Sequence, residues 1–392
     1  MPHPSVRALP GLASTVALTL ALSAVPAPVG AQLAVSSNDH KTSWVNGLIT
    51  PVERPSPDTA TIVDLGAVPP RVVATLDVPG GVAGPPQAVV LTPDEGLALV
   101  TSSSRVDPAR PGQTLPNDVV SVIDLQAAPP RVVATLHVGG QAGGIAINRA
   151  GSLALVGTRR GGGVAVLGIT GRTVRLLGTV SICDDGCDPS TPGFTPDGRT
   201  ALVTRYNDHK VAILRVEGTE VQYTGSDISA NLKPYPMAMS PVRNLAVVSN
   251  VGNGLVGGAD TLSVIDLDAR VPRVASTASV LPLPEGLAFS PDGTYVAAAS
   301  MNGSNAPPTS PLFNDFGVLS VFRLEDTTLT RVAEARIGHW CEGIAWNRAA
   351  DVLVVQCAEQ ELQVFRFDGR TLTPAGAVPV GGVPTGIGTA RP

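Results

Sequence analysis

A short motif recurs along the chain, and it limits the possible fold more than any other feature of the sequence. It begins with a turn of the Thr-Pro-Asp-Gly or Asn-Arg-Ala-Gly type, in which Pro presets one dihedral angle and Gly accepts a positive φ. An apolar stretch follows, and then an alternating stretch that often ends in an acid. The turns lie at 92–96, 148–151, 195–198, 290–293 and 347–350. This pattern predicts short strands joined by hairpin turns.

The third strand of the unit can be aligned in seven copies, which are 43 to 60 residues apart. Four short strands in each such unit make up one propeller blade. We therefore expect an all-β, seven-bladed β-propeller of four-stranded antiparallel blades, formed as one domain by residues 32–392. A closed ring removes the long exposed edges of an open array. The aligned positions are Asp64, Asp124, Gly168, Arg215, Asp266, Arg323 and Arg366.

The two ends of the chain predict how the ring closes. The first blade has a candidate second strand at Leu33–Ser37, but the residues just before it do not supply an innermost strand. The segment Val383–Thr389 resembles the innermost strands of the other blades. We expect this C-terminal strand to pair with the N-terminal one. A linear solenoid would need capping repeats instead, and the sequence shows none.

Composition agrees with this fold and excludes some functions. The chain of 392 residues is 43% hydrophobic and contains 42 Gly and 36 Pro, which favours turns and strands over long helices. Its formal net charge is −5, and it holds only seven Phe and four Tyr. A basic or aromatic surface for nucleic acid is therefore not expected.

The first 31 residues have the pattern of a secretory signal peptide. Arg7 supplies the positive charge, Thr15–Val25 is apolar, and small residues precede a cleavage point after Ala31. The apolar stretch is too short to cross a bilayer comfortably. We expect a secreted or periplasmic protein without a membrane span after cleavage. An uncleaved anchor is the alternative.

An exported chain can form disulfides. Cys183 and Cys187 enclose a short loop with Gly186, and Cys341 and Cys357 lie at the outer ends of a predicted hairpin. If Trp346 faces Val352 across that hairpin, Cys341 faces Cys357. We therefore expect the disulfides Cys183–Cys187 and Cys341–Cys357. A zinc site is the alternative, but the spacing is not that of a zinc motif.

Two stretches carry a resemblance to a known family. Residues 117–125, Asn-Asp-Val-Val-Ser-Val-Ile-Asp-Leu, and residues 132–140, Val-Val-Ala-Thr-Leu-His-Val-Gly-Gly, are similar to the YVTN-type repeat of lactonase-like seven-bladed propellers. The resemblance extends over residues 33–390. It implies the fold, but relatives in this group include secreted binding proteins, scaffold subunits of periplasmic dehydrogenases, and lactone hydrolases or lactonising enzymes.

Ligands of a propeller generally bind at one mouth of its central channel, beside the loops between second and third strands. These loops are long at 38–58, 103–116, 251–260 and 301–316 and short in the other blades. Neutral insertion at tolerant turns is the alternative explanation for their length. The channel positions predicted for the seven blades in order are Thr385, Gln87, Gly143, Ser190, Tyr235, Glu285 and Glu342.

Two of these channel positions are acids in adjacent blades, Glu285 and Glu342. Paired carboxyl groups raise each other's pKa and can exchange protons, and His339, Arg205 and Asp188 are expected nearby. The same oxygens could instead hold Ca²⁺. A solvated rim with structural hydrogen bonds is the third possibility. Apart from such a cation, we expect no cofactor.

Three functions fit these observations. We favour a binding module, with a small ligand or another protein as the partner, because the chain has long loops on one face and lacks familiar nucleophile motifs. A lactonase-like enzyme would use Glu285, Glu342, His339 and Arg205. A scaffold subunit of a redox complex is the third, although the sequence has no Cys-x-x-Cys-His haem motif. We expect the protein to be a monomer.

Overall fold

The computed structural model describes residues 1, 32–82, 84–252 and 260–391. The predicted signal peptide and most of the predicted loop at 251–260 lie outside the described residues. Thirty strands are present in the described part, and twenty-eight of them form seven four-stranded antiparallel sheets. Within these residues, no helix has the length and apolar character needed to span a bilayer.

Each blade consists of four strands that run from the central channel to the outside. Blade 1 contains β30 (Val383–Thr389), β1 (Leu33–Asp39), β4 (Thr59–Asp64) and β5 (Arg71–Asp77). Blade 2 contains β6 (Val89–Leu91), β7 (Leu97–Val106), β8 (Thr114–Asp124) and β9 (Arg131–His137). Blade 3 contains β10 (Ala142–Ile147), β11 (Leu153–Thr158), β12 (Gly163–Thr170) and β13 (Thr173–Ser181).

The other four blades follow the same plan. Blade 4 contains β14 (Pro189–Phe194), β15 (Thr200–Arg205), β16 (Lys210–Glu217) and β17 (Glu220–Ser229), and blade 5 contains β18 (Pro234–Met239), β19 (Leu245–Asn250), β20 (Asp260–Asp266) and β21 (Arg273–Val280). Blade 6 contains β22 (Pro284–Phe289), β23 (Tyr295–Ser300), β24 (Gly317–Glu325) and β25 (Thr328–Ile337). Blade 7 contains β26 (Ile344–Trp346), β27 (Val352–Cys357), β28 (Glu361–Phe367) and β29 (Leu372–Pro379).

The predicted fold and the predicted closure are both confirmed. Strand β30 pairs with β1 in an antiparallel register, with Ser36 opposite Ile387. The innermost strands then contact their neighbours around the complete ring. The faces of adjacent blades bury alternating apolar side chains against each other, as Leu99 and Val122 of blade 2 do against Ala154 and Val156 of blade 3. Burial of this kind stabilises the ring by about 25 cal/mol per Å² of apolar surface.

Both predicted disulfides, Cys183–Cys187 and Cys341–Cys357, are present. The predicted register of the last hairpin is wrong by one residue, because Trp346 lies opposite Leu353 rather than Val352. The backbone of Glu342 nevertheless bonds to that of Gln356, so the register changes between Glu342 and Ile344. One extra residue just before β26, where Glu342 and Gly343 both bond to Gln356, allows the cysteine pairing and the shifted Trp346 register in one hairpin.

The long loops form a rim on one face, which we call the upper face. In blade 1 the loop contains the small hairpin β2 (Thr42–Val45) and β3 (Leu48–Pro51). In blade 2 the predicted loop is mostly strand, since β7 and β8 extend past the ring and pair as far as Val106 and Thr114. Hydrogen bonds between these extensions satisfy backbone groups that a free loop would leave to solvent.

Candidate functional site

The inner strands share an irregularity at their upper ends. Five of the seven, those of blades 1 and 3–6, have a register shift there, and Thr385, Gly143, Ser190, Tyr235 and Glu285 lie within these bulges. A bulge adds one residue to a strand and turns its side chain away from the regular pleat. Five of the seven predicted channel residues therefore lie in bulges at the upper ends of the inner strands, which we call the upper mouth of the channel.

The two glutamates lie in adjacent bulged segments and interact. Glu342 is 2% exposed, and Trp340 Nε1 donates a hydrogen bond to its Oε1. Its Oε2 is buried and has no hydrogen-bond partner among the described residues. Glu285 is half-buried and faces the same space. The structure thus brings together the two acids that the sequence analysis singled out.

Burial controls the protonation of this pair. It raises the pKa of Glu285 to about 7, although the positive charge of Arg159 opposes the rise. Burial, followed by the charge of Glu285, raises the pKa of Glu342 well above its ordinary value. Both carboxyl groups therefore keep their protons to a higher pH than an exposed glutamate does, and Glu285 is close to its midpoint at neutral pH.

The glycine after each glutamate explains how the two strands approach so closely. A Cβ atom on Gly286 would lie 2.1 Å from the carbonyl oxygen of Glu342, and one on Gly343 would lie 2.1 Å from the Gln356 side-chain oxygen. Real Cβ atoms do not come that close to oxygen. The Glu-Gly pairs are thus a packing requirement of the upper mouth.

A cation and a phenol complete the cluster; of the two, only the phenol of Tyr235 could be predicted from the repeat. Arg159, directly after β11, donates from Nε and Nη2 to the two carboxylate oxygens of Asp188 at 2.8 and 2.6 Å. Its guanidinium also lies 5.5 Å from the ring centroid of Tyr235. Although burial alone would lower it, Tyr235 and then Asp188 raise the pKa of Arg159, so this side chain stays charged.

Tyr235 is the aromatic centre of the mouth. It is 7% exposed, and burial raises its pKa well above the ordinary value, which keeps the phenol neutral. Tyr206 packs edge-on against it at 5.1 Å between centroids, and Lys233 lies over Tyr206 at 4.9 Å. Tyr235 belongs to a cluster with Trp340 and with the aliphatic side chains of Val251, Leu283 and Met301.

Four consecutive blades hold a left-handed residue two positions before the channel residue. These residues are Asp188, Lys233, Leu283 and Trp340, with φ of 58°, 54°, 55° and 41°. Bulky side chains rarely adopt this conformation, and such strain concentrates at functional sites. The repetition indicates that the backbone of blades 4 to 7 is held in a specific shape around the mouth.

The remaining predicted ligand-binding residues are divided between the mouth and its surroundings. Ser190 donates to Asp188 at 3.0 Å and so supports the Arg159 pair. Thr385 bonds to Ser37 within blade 1. Gln87 donates from Nε2 to the Leu287 carbonyl across the channel at 3.5 Å, and it lines the cavity below the mouth.

Arg205 and His339, proposed as catalytic partners, are not brought to the acid pair. Arg205 bonds to Asp208 and Asp227 on the outer side of blade 4. It is the last residue of β15, whereas Arg159 lies one residue beyond the end of β11. Successive side chains of a strand point in opposite directions, so this difference of one position separates the direction of Arg159 from that of Arg205. An alignment of the ends of the second strands in blades 3 and 4 could have identified Arg159.

His339 belongs to the rim. Its Nδ1 is 2.6 Å from Glu359 and its Nε2 is 2.9 Å from Asp315. Trp44 of the small hairpin packs edge-on against it at 4.8 Å. Burial opposes protonation, but the hydrogen bonds to Glu359 and Asp315 raise the pKa of His339 overall.

No group of three or more His, Cys, Asp or Glu side chains in the described part of the chain is arranged to hold a metal. Ca²⁺ prefers six to eight oxygen ligands. Glu285 and Glu342 would supply only two side chains toward such a set, so a calcium ion would need most of its ligands from other groups.

Comparison with solved structures places the fold among known propellers. A functionally unknown protein from Desulfotomaculum acetoxidans matches with a TM-score of 0.66 and 16% identity, over 92% of this chain and 99% of that one. A "putative 6-phosphogluconolactonase" from Bacteroides fragilis matches with a TM-score of 0.66 and 15% identity, over 93% and 99%. Hydrazine synthase from Kuenenia stuttgartiensis matches with a TM-score of 0.60 and 16% identity, over 79% and 91%.

No protein-family model matches the chain, and no curated protein matches its sequence significantly. The chain is thus a seven-bladed propeller related in structure to the lactonase-type propellers. Identities this low establish the fold alone, because one propeller fold supports many unrelated functions.

Proposed function

We propose that the protein is a binding module whose upper mouth takes a small, uncharged, polyhydroxylated ligand. The observation that carries this proposal is the buried Oε2 of Glu342, which has no partner among the described residues. A buried polar atom without a partner costs about 1–3 kcal/mol. A ligand hydroxyl can both donate and accept, so it can satisfy this carboxyl group in either protonation state.

The charges at the mouth support an uncharged ligand. Arg159 is already neutralised by Asp188, and burial raises the pKa of Glu342, which disfavours the charged form of that carboxyl group. A phosphate group would find no unbalanced positive charge from Arg159 here. The ligand class therefore differs from the phosphorylated sugar lactone that the name of the Bacteroides protein implies for that protein.

The aromatic side chains support the size and shape of the ligand. Tyr235, Tyr206 and Trp340 lie in one cluster beside the acids. Aromatic faces pack against the C–H surfaces of a ring while nearby polar groups bind its hydroxyls. A single sugar-like ring would use both kinds of contact.

Export is part of the proposal. The two disulfides favour an oxidising compartment, and the N-terminal sequence favours a secretory route, so we place the protein outside the cytoplasm or in the periplasm. Binding of another protein by the rim, and a monomeric state, stay predictions.

Calorimetry with D-glucose and D-glucono-1,5-lactone tests the ligand class. We expect wild type to bind at least one of them, and Glu342→Leu to weaken that binding roughly tenfold or more, because it removes the hydrogen-bonding group. Glu325→Leu, at an exposed position on β24, is the control. Binding of 6-phosphogluconate alone, or equal affinity in Glu342→Leu, would contradict the proposal.

A second candidate is lactone hydrolysis, and the pKa of Glu285 favours it. A carboxyl group with a pKa of about 7 can act as base, and a neighbouring carboxyl group whose pKa is raised well above its ordinary value can act as acid. Glu285 would take a proton from the attacking water, and Glu342 would protonate the ring oxygen as the acyl C–O bond breaks.

This candidate is tested by following D-glucono-1,5-lactone hydrolysis in a pH-stat against the uncatalysed rate. Glu285→Gln and Glu342→Gln should each abolish the added rate, while Glu325→Gln should retain it. A wild-type rate equal to that of buffer would leave binding as the function of the mouth.

A further inference from the structure

The opposite end of the channel, the lower mouth, contains a cavity of different chemistry. Its volume is about 140 Å³. An apolar cavity of about 150 Å³ holds one benzene molecule. The walls come from strands or turns of six blades. Most of the lining side chains are apolar, and they include Val90, Ile145, Met239, Leu287, Ile344 and Trp346.

A cation lies at the rim of this cavity. Strand β30 ends at Thr389, and the tail that follows places Arg391 against this cavity and against a smaller one beside it. Among the described residues, no carboxylate forms an ion pair or a hydrogen bond with Arg391. The residue is exposed to solvent, so an anion that enters the cavity can reach its guanidinium.

The inner end of the cavity is polar. Gln87 lines it, and the Oε1 atom of this side chain is buried without a hydrogen-bond partner among the described residues. Arg348 also lines the cavity, but it pairs with Glu95 at 2.6 Å. Arg391 is therefore the cation at this rim whose charge is not balanced by a described carboxylate.

From this juxtaposition we propose that the lower mouth is a second ligand site, which binds a small carboxylate with an aromatic or short aliphatic body. The body fills the cavity and the carboxylate pairs with Arg391. Charge-assisted pairs between guanidinium and carboxylate add both strength and orientation to such binding. The proposal does not depend on the function of the upper mouth.

Benzoate and its neutral analogue benzamide are the probes, since they differ little in shape. Calorimetry at fixed ionic strength should show that wild type prefers benzoate by about tenfold, the usual effect of one charge-assisted hydrogen bond. Arg391→Gln should abolish that preference. The control Arg175→Gln, on the exposed face of β13, should keep it.

Two further variants locate the site. Trp346 lines the cavity, so benzoate should change its fluorescence, and Trp346→Phe should remove the change while calorimetric binding persists. Glu342→Gln, at the upper mouth, should leave benzoate affinity unchanged. The proposal is overturned if wild type fails to bind benzoate at millimolar concentration, if Arg391→Gln retains the preference, or if Glu342→Gln removes binding.

Discussion

The two mouths of the channel are built from the same strands and differ in almost every chemical property. At the upper mouth the strands begin with bulges, left-handed turns and buried acids. At the lower mouth the same strands continue regularly into apolar walls that end at Phe289 and Trp346. Glu285 and Leu287 are only two residues apart on β22. Chemical specialisation in this ring therefore depends on position along each strand and much less on which blade is considered.

The difference also separates two kinds of stability. The lower mouth contributes apolar packing that does not change with pH. The upper mouth holds ionisable groups in a place where their charged forms are disfavoured, so its contribution depends on protonation. Variants at the two mouths should therefore behave differently when unfolding is followed over a range of pH.

The largest expected effect is at the lower mouth. Trp346 is 3% exposed and packs against Phe367, so Trp346→Ala should lower the free energy of unfolding by about 3–5 kcal/mol. Urea denaturation should show the same loss at about pH 5 and pH 8, since no titrating group is removed. Trp44→Ala, on the small hairpin outside the ring, is the control and should cost less. A loss of stability that depends strongly on pH would contradict the expected difference between the two mouths.

Gly286→Ala should have the next largest effect, because its new Cβ must displace the Glu342 backbone. We expect a loss of about 1–3 kcal/mol, as for other overpacked sites. The matched control is Gly178→Ala on β13, where a Cβ meets nothing within 4 Å. Thermal unfolding of both variants measures the difference. Equal melting temperatures would show that the two inner strands can separate without cost.

Glu342→Gln should change how stability depends on pH. The pKa values of Glu285 and Glu342 are raised in the folded state, so the native protein binds their protons more tightly than the unfolded chain does. Wild-type stability from this pair is thus fully present below the ordinary carboxyl pKa. It is lost as pH rises through about 7 for Glu285 and through the raised pKa of Glu342.

Since Gln cannot ionise, Glu342→Gln should gain stability relative to wild type as pH rises from about 5 to about 8. Melting temperatures across this range measure the effect, with the exposed Glu325→Gln as control. Parallel curves for wild type and Glu342→Gln would show that the buried pair does not titrate as argued.

The smallest effect is expected at the rim. The pKa of His339 is raised, so its ion pairs with Glu359 and Asp315 stabilise the fold below the ordinary His pKa and are lost as pH rises through the raised one. His339→Gln should cost about 0.5 kcal/mol in acid and less at alkaline pH, since the pairs are partly exposed. Chemical denaturation at two pH values checks this. A larger loss of stability at alkaline pH than in acid would contradict the raised pKa of His339.

Much of this molecule could be predicted because its pattern repeats. Turns such as Ser290–Gly293 fix where strands end, and seven aligned copies fix the number of blades. The acid pair could also be predicted, since Glu285 and Glu342 occupy homologous positions in adjacent units. In a repeat fold, residues at homologous positions of adjacent units lie close together in space.

The features that could not be predicted lie where the repeat is interrupted. Arg159 was missed and Arg205 was chosen, because a shift of one residue at a strand end decides which face a side chain takes. The register at Trp346 failed for the same reason, through an extra residue near Glu342. The position of Arg391 at the lower cavity depends on the path of the C-terminal tail, and no repeat in the sequence predicts that path.

Closure of the ring by β30 has a consequence for how the protein is made. That strand contributes Ile387 to the lower cavity, and the tail that follows it places Arg391 at the rim. During synthesis from the N-terminus, six blades can be complete while this pocket still lacks one wall. A complete pocket therefore requires that β30 has already paired with β1.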